Sequence, residues 1–424
     1  MNDSHLRRKA PGHVARPALA VLILSLNFGI VFFDRNAIGF LVPFIQSDLK
    51  MSSSQIGMLA AVLALTWAIS GYVIGHFADH HGRRKLIIII STTIFSFSSF
   101  ITGVTWSFAT LLVARLLMGL AEGGVMPVSQ SLTADIVPEH RRGLAMGVMQ
   151  AFGSNLLGGM IAPLLLVGLA GHYGWRTTFY MTALPGLACV LLMTWLVPDA
   201  SVSSSRAEAL DEPGGVMRLL RGNVLLCCLI SVCLVAYNSI CWYFVPLFLT
   251  ETKGMAPQAM SWLIATLGFS AVVTAFTIPA LSDKWGRRPV MILFTLVGLI
   301  MPLSAIILPP VFWRLSPWFF VGWTVLGVYP IFMSIIPVET VGKRDAAKVL
   351  GLVVGAGELF GGVLGPIVAG VAADMTDHTA PLWIMALLTA MSAVLSLALT
   401  ETAPAKTRSG SRLSDIPGEA EVVP

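Results

Sequence analysis

Two stretches of the sequence repeat one pattern: GHFADHHGRRK at residues 75–85 and PALSDKWGRRP at residues 279–289. An aspartate, a glycine and two arginines recur in both, 204 residues apart. The same offset superposes Asp135 on Glu339, and it also carries three further glycines, Gly147, Gly153 and Gly158, onto glycines of the other half. A constant offset across separated segments predicts a chain built from two similar halves in parallel repeat.

The composition restricts what these halves can be. Of the 424 residues, 56% are hydrophobic and 12% are charged, and the mean hydropathy is +0.80, whereas soluble domains are roughly 25% charged. So few charges disfavour a soluble enzyme, a disordered protein and a nucleic-acid-binding protein, despite the net charge of +5. The five cysteines form neither a CxxC pair nor a set with histidine at metal spacing, so we expect no disulfide framework and no metal site.

Twelve apolar runs are long enough to cross a bilayer, which takes roughly 20 residues in a helix. Their centres lie near residues 30, 66, 96, 122, 156, 187, 236, 269, 299, 327, 360 and 390. We therefore predict an all-α membrane protein with twelve spans, in two six-helix halves at residues 18–198 and 223–400. The remaining segments are predicted to be an N-terminal segment at 1–17, a linker at 199–222 and a disordered polar tail at 401–424.

The distribution of lysine and arginine predicts the orientation. With a cytoplasmic N-terminus, the inner segments hold 21 of these residues and the outer segments hold four. Basic loops remain on the cytoplasmic side of a membrane. We therefore expect a multi-pass protein of a bacterial-type inner membrane, with both termini in the cytoplasm and no cleaved signal peptide. The lipid bilayer is its expected surrounding, with no nucleic-acid partner, and we expect a monomer.

Five ionisable residues fall within the spans: Asp34, Arg35, Arg115, Glu122 and Glu358. Each costs roughly 2.5–3.5 kcal/mol at a lipid-facing midplane, so we expect them to face the interior or a wet cavity. Arg115 and Glu122 share one face of the fourth span but lie about 10.5 Å apart along its axis, so each is expected to seek a partner on another helix.

The neighbours Asp34 and Arg35 point about 100° apart on the first span. We therefore expect Arg35 to face substrate and Asp34 to turn toward Arg115 or neighbouring helices. Both guanidinium groups are expected to line one water-accessible chamber, where the acidic side chains compete with a substrate for them. A purely structural network of buried charges is the alternative, although buried ion pairs are weak evidence for stability.

The doubled D-x-x-G-R-R motif on a six-plus-six repeat resembles the major facilitator superfamily, over almost the whole chain. Two unrelated basic loops that merely follow the charge rule are the alternative. Physically, Asp79 can sit against the positive N-terminal end of the eleventh span, near residues 346–348. Arg83 or Arg84 can pair with Asp135, and the second motif can pair with Glu339 in the same way. We expect these contacts to hold the cytoplasmic side shut and to break when the protein opens inward. The candidate gating residues are Asp79, Arg83, Asp135, Asp283, Arg287 and Glu339.

Three further motifs resemble the anion:cation symporter branch of that superfamily, which contains galactonate, glucarate and hexuronate carriers. They are FDRN at 33–36, R-x3-G-x2-E-x4-P at 115–127, and GWR at 174–176 followed by Phe179. The resemblance implies proton-coupled uptake of a small organic anion, a carboxylate. It implies Asp34 and Glu122 as proton carriers, Arg35 as the ligand of the substrate carboxylate and Arg115 as the partner of the acidic pair. It also implies that Trp67 and Asn155 contact the substrate.

The sequence departs from that branch at Glu358, where sugar-acid carriers tend to have asparagine. A second carboxylate in the cavity adds a proton site, recognises an amine or hydroxyl of the substrate, or serves as a gate residue bonded to backbone. Asn238 lies 204 residues after Asp34 and is its neutral counterpart. The candidate substrate-binding residues are Arg35, Trp67, Arg115, Asn155, Asn238, Tyr243, Tyr329 and Glu358. The candidate proton-coupling residues are Asp34, Glu122 and Glu358.

The main alternative function is a proton-driven exporter of drugs or metabolites on the same fold. An acidic residue in the first span suits a cationic drug, and Glu358 strengthens that interpretation, whereas two embedded arginines favour an anion. No P-loop is present, so ATP is not expected to supply the energy. We expect a transporter rather than an enzyme, with the proton as coupling ion and no other cofactor.

Overall fold

The computed structural model describes residues 17–198, 220–342 and 345–403, and helices form nearly all of this part of the chain. The helices of the first half are α1 (Pro17–Arg35), α2 (Ala37–Leu49), α3 (Ser53–His81), α4 (Arg84–Val104), α5 (Phe108–Glu122), α6 (Val125–Ile136), α7 (Glu139–Val148), the π-helical segment Met149–Ile161, and α8 (Ala162–Leu196).

The second half repeats the pattern with more interruptions. Its helices are α9 (Asn223–Leu247), the π-helical segment Phe248–Thr252, α10 (Pro257–Trp285), α11 (Arg287–Val297), α12 (Ile300–Ile307), α13 (Phe312–Trp323), the 3-10 segment Thr324–Val328, the π-helical segment Ile331–Ile335, α14 (Ile336–Val341), α15 (Ala346–Ala356), the π-helical segment Gly357–Gly362, α16 (Val363–Met375) and α17 (Ala380–Leu397).

Eleven helical stretches in the described part are long and apolar enough to cross a membrane. One of them, His140–Leu196, has 57 residues, more than twice the roughly 20 that a span needs. It breaks at Gly174, whose φ of +80° and ψ of 156° are not helical. Counted as two spans on either side of Gly174, it brings the number to the predicted twelve. We number the spans 1 to 12 in chain order.

Three interruptions of the helices carry embedded charges. Asp34 and Arg35 end α1 just before the break at Asn36, and Glu122 ends α5 just before Gly123. Glu358 lies in the π-helical segment of span 11. Discontinuous helices and π-helical turns concentrate at binding sites in membrane transporters. Spans 1, 4 and 11 are therefore interrupted at the positions where they carry a charge.

The two halves pack closely at one end of the bundle, which carries residues 50–52, 253–256 and 376–379 and which we call the closed face. A Cβ atom on Gly57 would lie 2.2 Å from the carbonyl oxygen of Pro366, and one on Gly39 would lie 2.3 Å from that of Trp242. Each of these contacts joins the first half to the second, so small residues allow their backbones to touch.

The opposite end carries the two D-x-x-G-R-R loops, and we call it the basic face. There, α6 and α7 pack mainly within the first half, and α14 and α15 pack mainly within the second. A Cβ atom on Gly351 or Gly355 of α15 would meet nothing within 4 Å. The two halves are therefore sealed together at the closed face and separate toward the basic face.

A carboxylate of span 11 secures the closed face. Asp374 Oδ1 accepts a hydrogen bond from the backbone N–H of Ser53 at 2.8 Å, and its Oδ2 accepts from the N–H and the hydroxyl of Ser54 at 2.8 and 2.5 Å. These are the first residues of α3, where unpaired N–H groups and the helix dipole favour a negative charge. Asp374 therefore ties the second half to the start of span 2 in the first half.

We predict that Asp374→Ala loosens the closed face. Hydrogen bonds to a charged group stabilise by about 1.5–3 kcal/mol each, and this variant removes three. Spin labels at Met58 and Val371, both exposed, should show a longer or broader distance distribution by pulsed EPR in nanodiscs. Asp377→Ala is the matched control, because Asp377 bonds the neighbouring Thr379. Identical distributions in the wild type and Asp374→Ala would contradict a role for Asp374 in closure.

Candidate functional site

Arg35 lies between the two halves at the end of α1. Its guanidinium group sits 4.7 Å from the centre of the Trp67 ring and 5.8 Å from that of Phe32. Its Nη2 atom is 3.9 Å from Oε2 of Glu358 in the other half, and 16% of its side chain is exposed. An arginine held on an aromatic face, with its polar edge partly accessible, suits recognition of a planar carboxylate.

Glu358 faces Arg35 from span 11, and 19% of its side chain is exposed. The glycines around it determine where its segment runs: a Cβ atom on Gly361 would lie 2.3 Å from the carbonyl oxygen of Val232 in α9. Its carboxylate folds over Gly362, where an added Cβ would lie 3.3 Å from Oε2. Of the sequence alternatives, this geometry favours a charge that faces the space between the halves over a gate residue bonded to its own backbone.

Asp34 is fully buried within the first half. Its Oδ1 accepts hydrogen bonds from the hydroxyls of Ser99 at 2.8 Å and Thr182 at 3.1 Å. Its Oδ2 has no hydrogen-bond partner in the described part of the chain. The expectation that Asp34 turns away from Arg35 toward neighbouring helices is confirmed, and the helices are those of spans 3 and 6.

Arg115 is fully buried as well. Its Nη2 donates to the hydroxyl of Thr102 at 3.2 Å, and its guanidinium lies 5.8 Å from the centre of the Phe179 ring. The expectation that it shares a water-accessible chamber with Arg35 is wrong for this structure. Helical spacing gives the face on which Arg115 lies, but spans 3 and 6 cover that face.

Glu122 is a third enclosed charge. Both of its carboxyl oxygens lack a hydrogen-bond partner among residues 17–198, 220–342 and 345–403. Arg35, Asp34 and Arg115 act on it electrostatically. Span 4 packs closely against span 2 here. A Cβ atom on Gly123 would lie 2.3 Å from the carbonyl oxygen of Trp67, so only glycine fits at this position. The carboxyl group is therefore shut in close to both embedded arginines.

The aromatic candidates divide into two groups. Trp67 contacts Arg35 directly, and buried Tyr243 acts electrostatically on Arg115, Arg35 and Glu122. Tyr329 lies in electrostatic range of Glu358, but its hydroxyl donates to the carbonyl oxygen of Leu234 at 2.6 Å. The one available hydroxyl proton of Tyr329 is thus already committed to backbone.

The two asparagine candidates make contacts within the protein. Asn155 donates from Nδ2 to the carbonyl oxygen of Ala271 at 3.3 Å, which joins span 5 to span 8. Asn238 accepts from Nε1 of Trp242 at 3.0 Å. Neither contacts Arg35 or Glu358 in the described part, so their predicted roles as substrate ligands stay predictions.

Sequence reasoning missed three polar residues of this region. Ser99 and Thr182 hold Asp34, and the signal available was a pair of hydroxyls inside apolar spans. Thr182 also bonds Ser99 at 2.7 Å. Trp323 is fully buried, 5.4 Å from Trp242 between ring centres, and its indole N–H has no partner in the described residues. Nothing in the spacing of the sequence distinguishes Trp323 from a packing residue.

At the basic face, the motif of the second half forms the predicted ion pair with Glu339 and a second pair within the motif. Arg287 Nη1 contacts Oδ1 of Asp283 at 2.5 Å, and Nη2 contacts Oε1 of Glu339 at 3.0 Å. The turn that delivers Arg287 needs Gly286, whose φ is +105°. Arg287 is largely buried, 5% exposed. This network links spans 8, 9 and 10 within one half.

In the first half the pairing residue is Arg84, which contacts Asp135. Of the two arginines that the sequence left open as partners of Asp135, the structure therefore selects Arg84: α4 begins at Arg84, and Arg83 precedes the helix on the exposed surface. The gating role of Arg83 stays a prediction. The side chain of Asp79 lies outside the described residues, so its predicted contact with the start of span 11 stays a prediction.

The ion pairs that the structure describes at the basic face each lie inside a single half, since Arg84 and Asp135 belong to spans 3 and 4. These pairs do not by themselves lock one half to the other, and the gating role of their residues stays a prediction. They stay formed while the halves are separated at this face.

The first residues after span 12 also join the second network. Glu401 accepts from the backbone N–H groups of Arg287 at 2.8 Å and Arg288 at 3.2 Å, and the hydroxyl of Thr402 donates to Glu339 at 2.6 Å. The predicted disordered tail is therefore ordered over residues 401–403, because a carboxylate caps the start of α11. Residues 404–424 lie outside the described part.

Comparison with known proteins agrees with this architecture. A family model described as Major Facilitator Superfamily matches residues 24–244 and 227–419. The probable 4-methylmuconolactone transporter of Cupriavidus pinatubonensis is 28% identical over 78% of this chain and 80% of its own length. The hexuronate transporter of Bacillus subtilis is 26% identical over 59% of this chain and 62% of its own length.

Other matches include transporters named for different compounds. The multidrug resistance protein MdtG of Salmonella paratyphi C is 28% identical over 61% of this chain and 64% of its own length. A crystal structure of a mutant nucleoside transporter NupG superposes with a TM-score of 0.78 at 18% identity, and covers 90% of this chain and 99% of that one. At that identity the superposition shows the fold alone.

We predict that Arg84→Ala destabilises the protein more than Arg83→Ala does. Arg84 is buried and its hydrogen bond to the charged Asp135 is worth about 1.5–3 kcal/mol, which this variant loses, whereas Arg83 is exposed. The apparent melting temperature of each purified variant in detergent, followed by tryptophan fluorescence, checks this. Equal losses, or a larger loss for Arg83→Ala, would contradict the assignment of Arg84.

Proposed function

This chain belongs to the Major Facilitator Superfamily, and we propose that it is a secondary transporter that takes up a small organic anion together with protons. The observation that carries the proposal is Arg35, a partly exposed guanidinium group between the two halves, stacked on Trp67 and opposed by Glu358. Two relatives, a probable 4-methylmuconolactone transporter and a hexuronate transporter, support an organic anion as cargo.

Arg35 is proposed as the ligand of the substrate carboxylate. Its ion pair with Glu358 has a separation of 3.9 Å, longer than a charge-assisted hydrogen bond, which is about 2.7–2.9 Å. A cargo carboxylate can make two such bonds to the planar guanidinium and so replace the looser internal contact. Trp67 limits the rotation of the arginine, which lowers the entropy lost on binding.

Asp34 and Glu122 are proposed as the proton carriers. A buried carboxylate without hydrogen bonds is costly in a low-dielectric interior, and neither oxygen of Glu122 has a partner in the described chain. A proton on Glu122 removes one negative charge from the surroundings of Arg35 and Arg115. Proton binding and anion binding thereby share the same two guanidinium groups, which is the basis for coupling.

The two halves are proposed to alternate about this site. The bundle is sealed at the closed face and separated at the basic face. If the basic face lies in the cytoplasm, as its lysines and arginines favour, this arrangement is the one that releases cargo inside. Opening to the other side would require the halves to part at Asp374 and to approach at the basic face. An inner-membrane location with cytoplasmic termini belongs to the same proposal.

The decisive test is uptake by proteoliposomes. The purified protein should move a carboxylate from an external panel, and an inwardly directed acid gradient should raise its accumulation. Lactone carboxylates, sugar acids and aromatic acids form the panel. Uptake of no carboxylate, or movement of organic cations alone, would refute the proposal.

We predict that Glu122→Gln abolishes accumulation driven by the acid gradient but retains counterflow exchange. The amide keeps the shape of the side chain and cannot release a proton. Radiolabelled counterflow and gradient-driven uptake, measured in the same vesicles, separate the two activities. Gradient-driven accumulation at the wild-type level would remove Glu122 from the proton path.

We predict that Arg35→Lys lowers the initial rate of uptake by at least about tenfold. Lysine keeps the charge but lacks the planar fork that binds a carboxylate at two points. A tenfold change in affinity corresponds to about 1.4 kcal/mol, less than the worth of one charged hydrogen bond. Wild-type uptake by Arg35→Lys would contradict the assigned role.

Export of drugs or metabolites is the second candidate function. Glu358 favours it, because a partly exposed carboxylate between the halves suits a cationic compound, and the multidrug resistance protein MdtG is a relative. Inverted vesicles that accumulate organic cations but no carboxylate under a proton gradient would favour export.

A further inference from the structure

We propose that Glu358 restricts the cargo to a single negative charge, so that the substrate is a monocarboxylate with a hydroxyl group or other hydrogen-bond donor at its opposite end. This inference rests on the proposed function and names the chemical class of its cargo. It assigns Arg35 to the acid end of the cargo and Glu358 to its donor end.

The supply of positive charge sets the first limit. Arg35 and Arg115 are the arginines that the sequence places inside the apolar runs, away from the basic loops. Arg115 is fully enclosed in the first half, whereas 16% of the Arg35 side chain is exposed. One accessible guanidinium group can neutralise one carboxylate. A second carboxylate on the cargo would find no comparable partner among the embedded charges of the described chain.

The position of Glu358 sets the second limit. Its Oε2 lies 3.9 Å from Arg35, so a small molecule bound to that guanidinium extends alongside the glutamate. A second carboxylate at this place would face a like charge in a largely buried setting, where repulsion over a few ångströms is strong. Like-charge contact is an effective way to reject a competing ligand.

The surroundings of Glu358 favour a hydrogen-bond donor on the cargo. Once a cargo carboxylate occupies Arg35, Glu358 loses its partner in the ion pair. Tyr329, which is in electrostatic range, has already donated its proton to the carbonyl oxygen of Leu234 at 2.6 Å. A cargo hydroxyl would supply a charge-assisted hydrogen bond to Glu358, and an unmet carboxylate would carry a desolvation cost.

Two pairs of probes differ only in this feature. D-gluconate and D-glucarate share a six-carbon chain, and 4-hydroxybenzoate and terephthalate share a ring. In each pair a hydroxyl-bearing end is exchanged for a carboxylate. Inhibition constants are measured in proteoliposomes by competition against the best carboxylate of the uptake panel, at one pH and without a gradient. For the wild type, we expect the dicarboxylate to bind at least about tenfold more weakly than its partner in the pair that binds.

The variants identify the residue responsible. Glu358→Gln should reduce the difference within a pair by about tenfold, because the amide is neutral and can donate to a carboxylate. Glu358→Asp keeps the charge and should retain the preference. Size-exclusion profiles check the folding of both variants, and the wild-type comparison needs no variant at all.

Equal binding of both members of a pair by the wild type would overturn the inference and leave the proposed function intact. An unchanged preference in Glu358→Gln would equally overturn it, because the selectivity would then arise elsewhere. Failure to move any carboxylate is a different result, since it removes the proposed function itself.

Discussion

The contact between Arg35 and Glu358 is the interaction on which the working of this molecule depends. It joins the first half to the second, with Nη2 of Arg35 3.9 Å from Oε2 of Glu358. A charge inside a membrane protein is costly without a partner, so each member must keep the other or receive a substitute. In the proposed transport cycle, a cargo carboxylate replaces Glu358 as the partner of Arg35, and a proton can neutralise the carboxylate. Occupancy of the central site by cargo or a proton therefore changes a contact of both halves at the same time.

The embedded charges of the two halves differ in their exposure. The first half encloses Asp34, Arg115 and Glu122 behind the helices of spans 3, 4 and 6, with hydroxyls in place of water around Asp34. The second half presents Glu358 beside the space between the halves and has the neutral Asn238 at the position equivalent to Asp34. In the proposed mechanism, the carboxylates that exchange protons are thus kept apart from the surface that binds cargo. Arg35 belongs to both sets, since it acts electrostatically on Glu122 and contacts Glu358.

Much of this arrangement follows from the sequence. The repeat, the spans and the pairing of Arg287 with Glu339 depend on periodicity and on a motif, both of which a sequence displays. Two features did not follow from the sequence, because helical spacing gives a face and a register only approximately. The helix after the first motif begins at Arg84, whereas the helix after the second begins at Arg287, so equivalent arginines of the repeat have exchanged roles. Arg115 lies on the expected face, but packing by Phe179 and Thr102 encloses it, and no spacing rule reports enclosure. Ser99 and Thr182 illustrate the same limit, because hydroxyls are common in spans and only the fold brings these two to Asp34.

The location of the charge networks explains how a half can move as a unit. The Arg84–Asp135 contact and the Arg287 network each join spans of one half, and Glu401 adds the end of span 12 to the second of these. Contacts inside a half stay formed when the halves rotate as rigid bodies, so they can be strong without opposing transport. The contacts between the halves are the ones that can change, and they include the Asp374 bonds to α3, the glycine approaches at the closed face, the Asn155 bond to Ala271 and the Arg35–Glu358 pair. A rocking carrier must keep these inter-half contacts nearly balanced between its two orientations, since a few kilocalories per mole would leave one orientation almost unpopulated. Three hydrogen bonds on one side and a loose ion pair at the centre are of a size that cargo and a proton can offset.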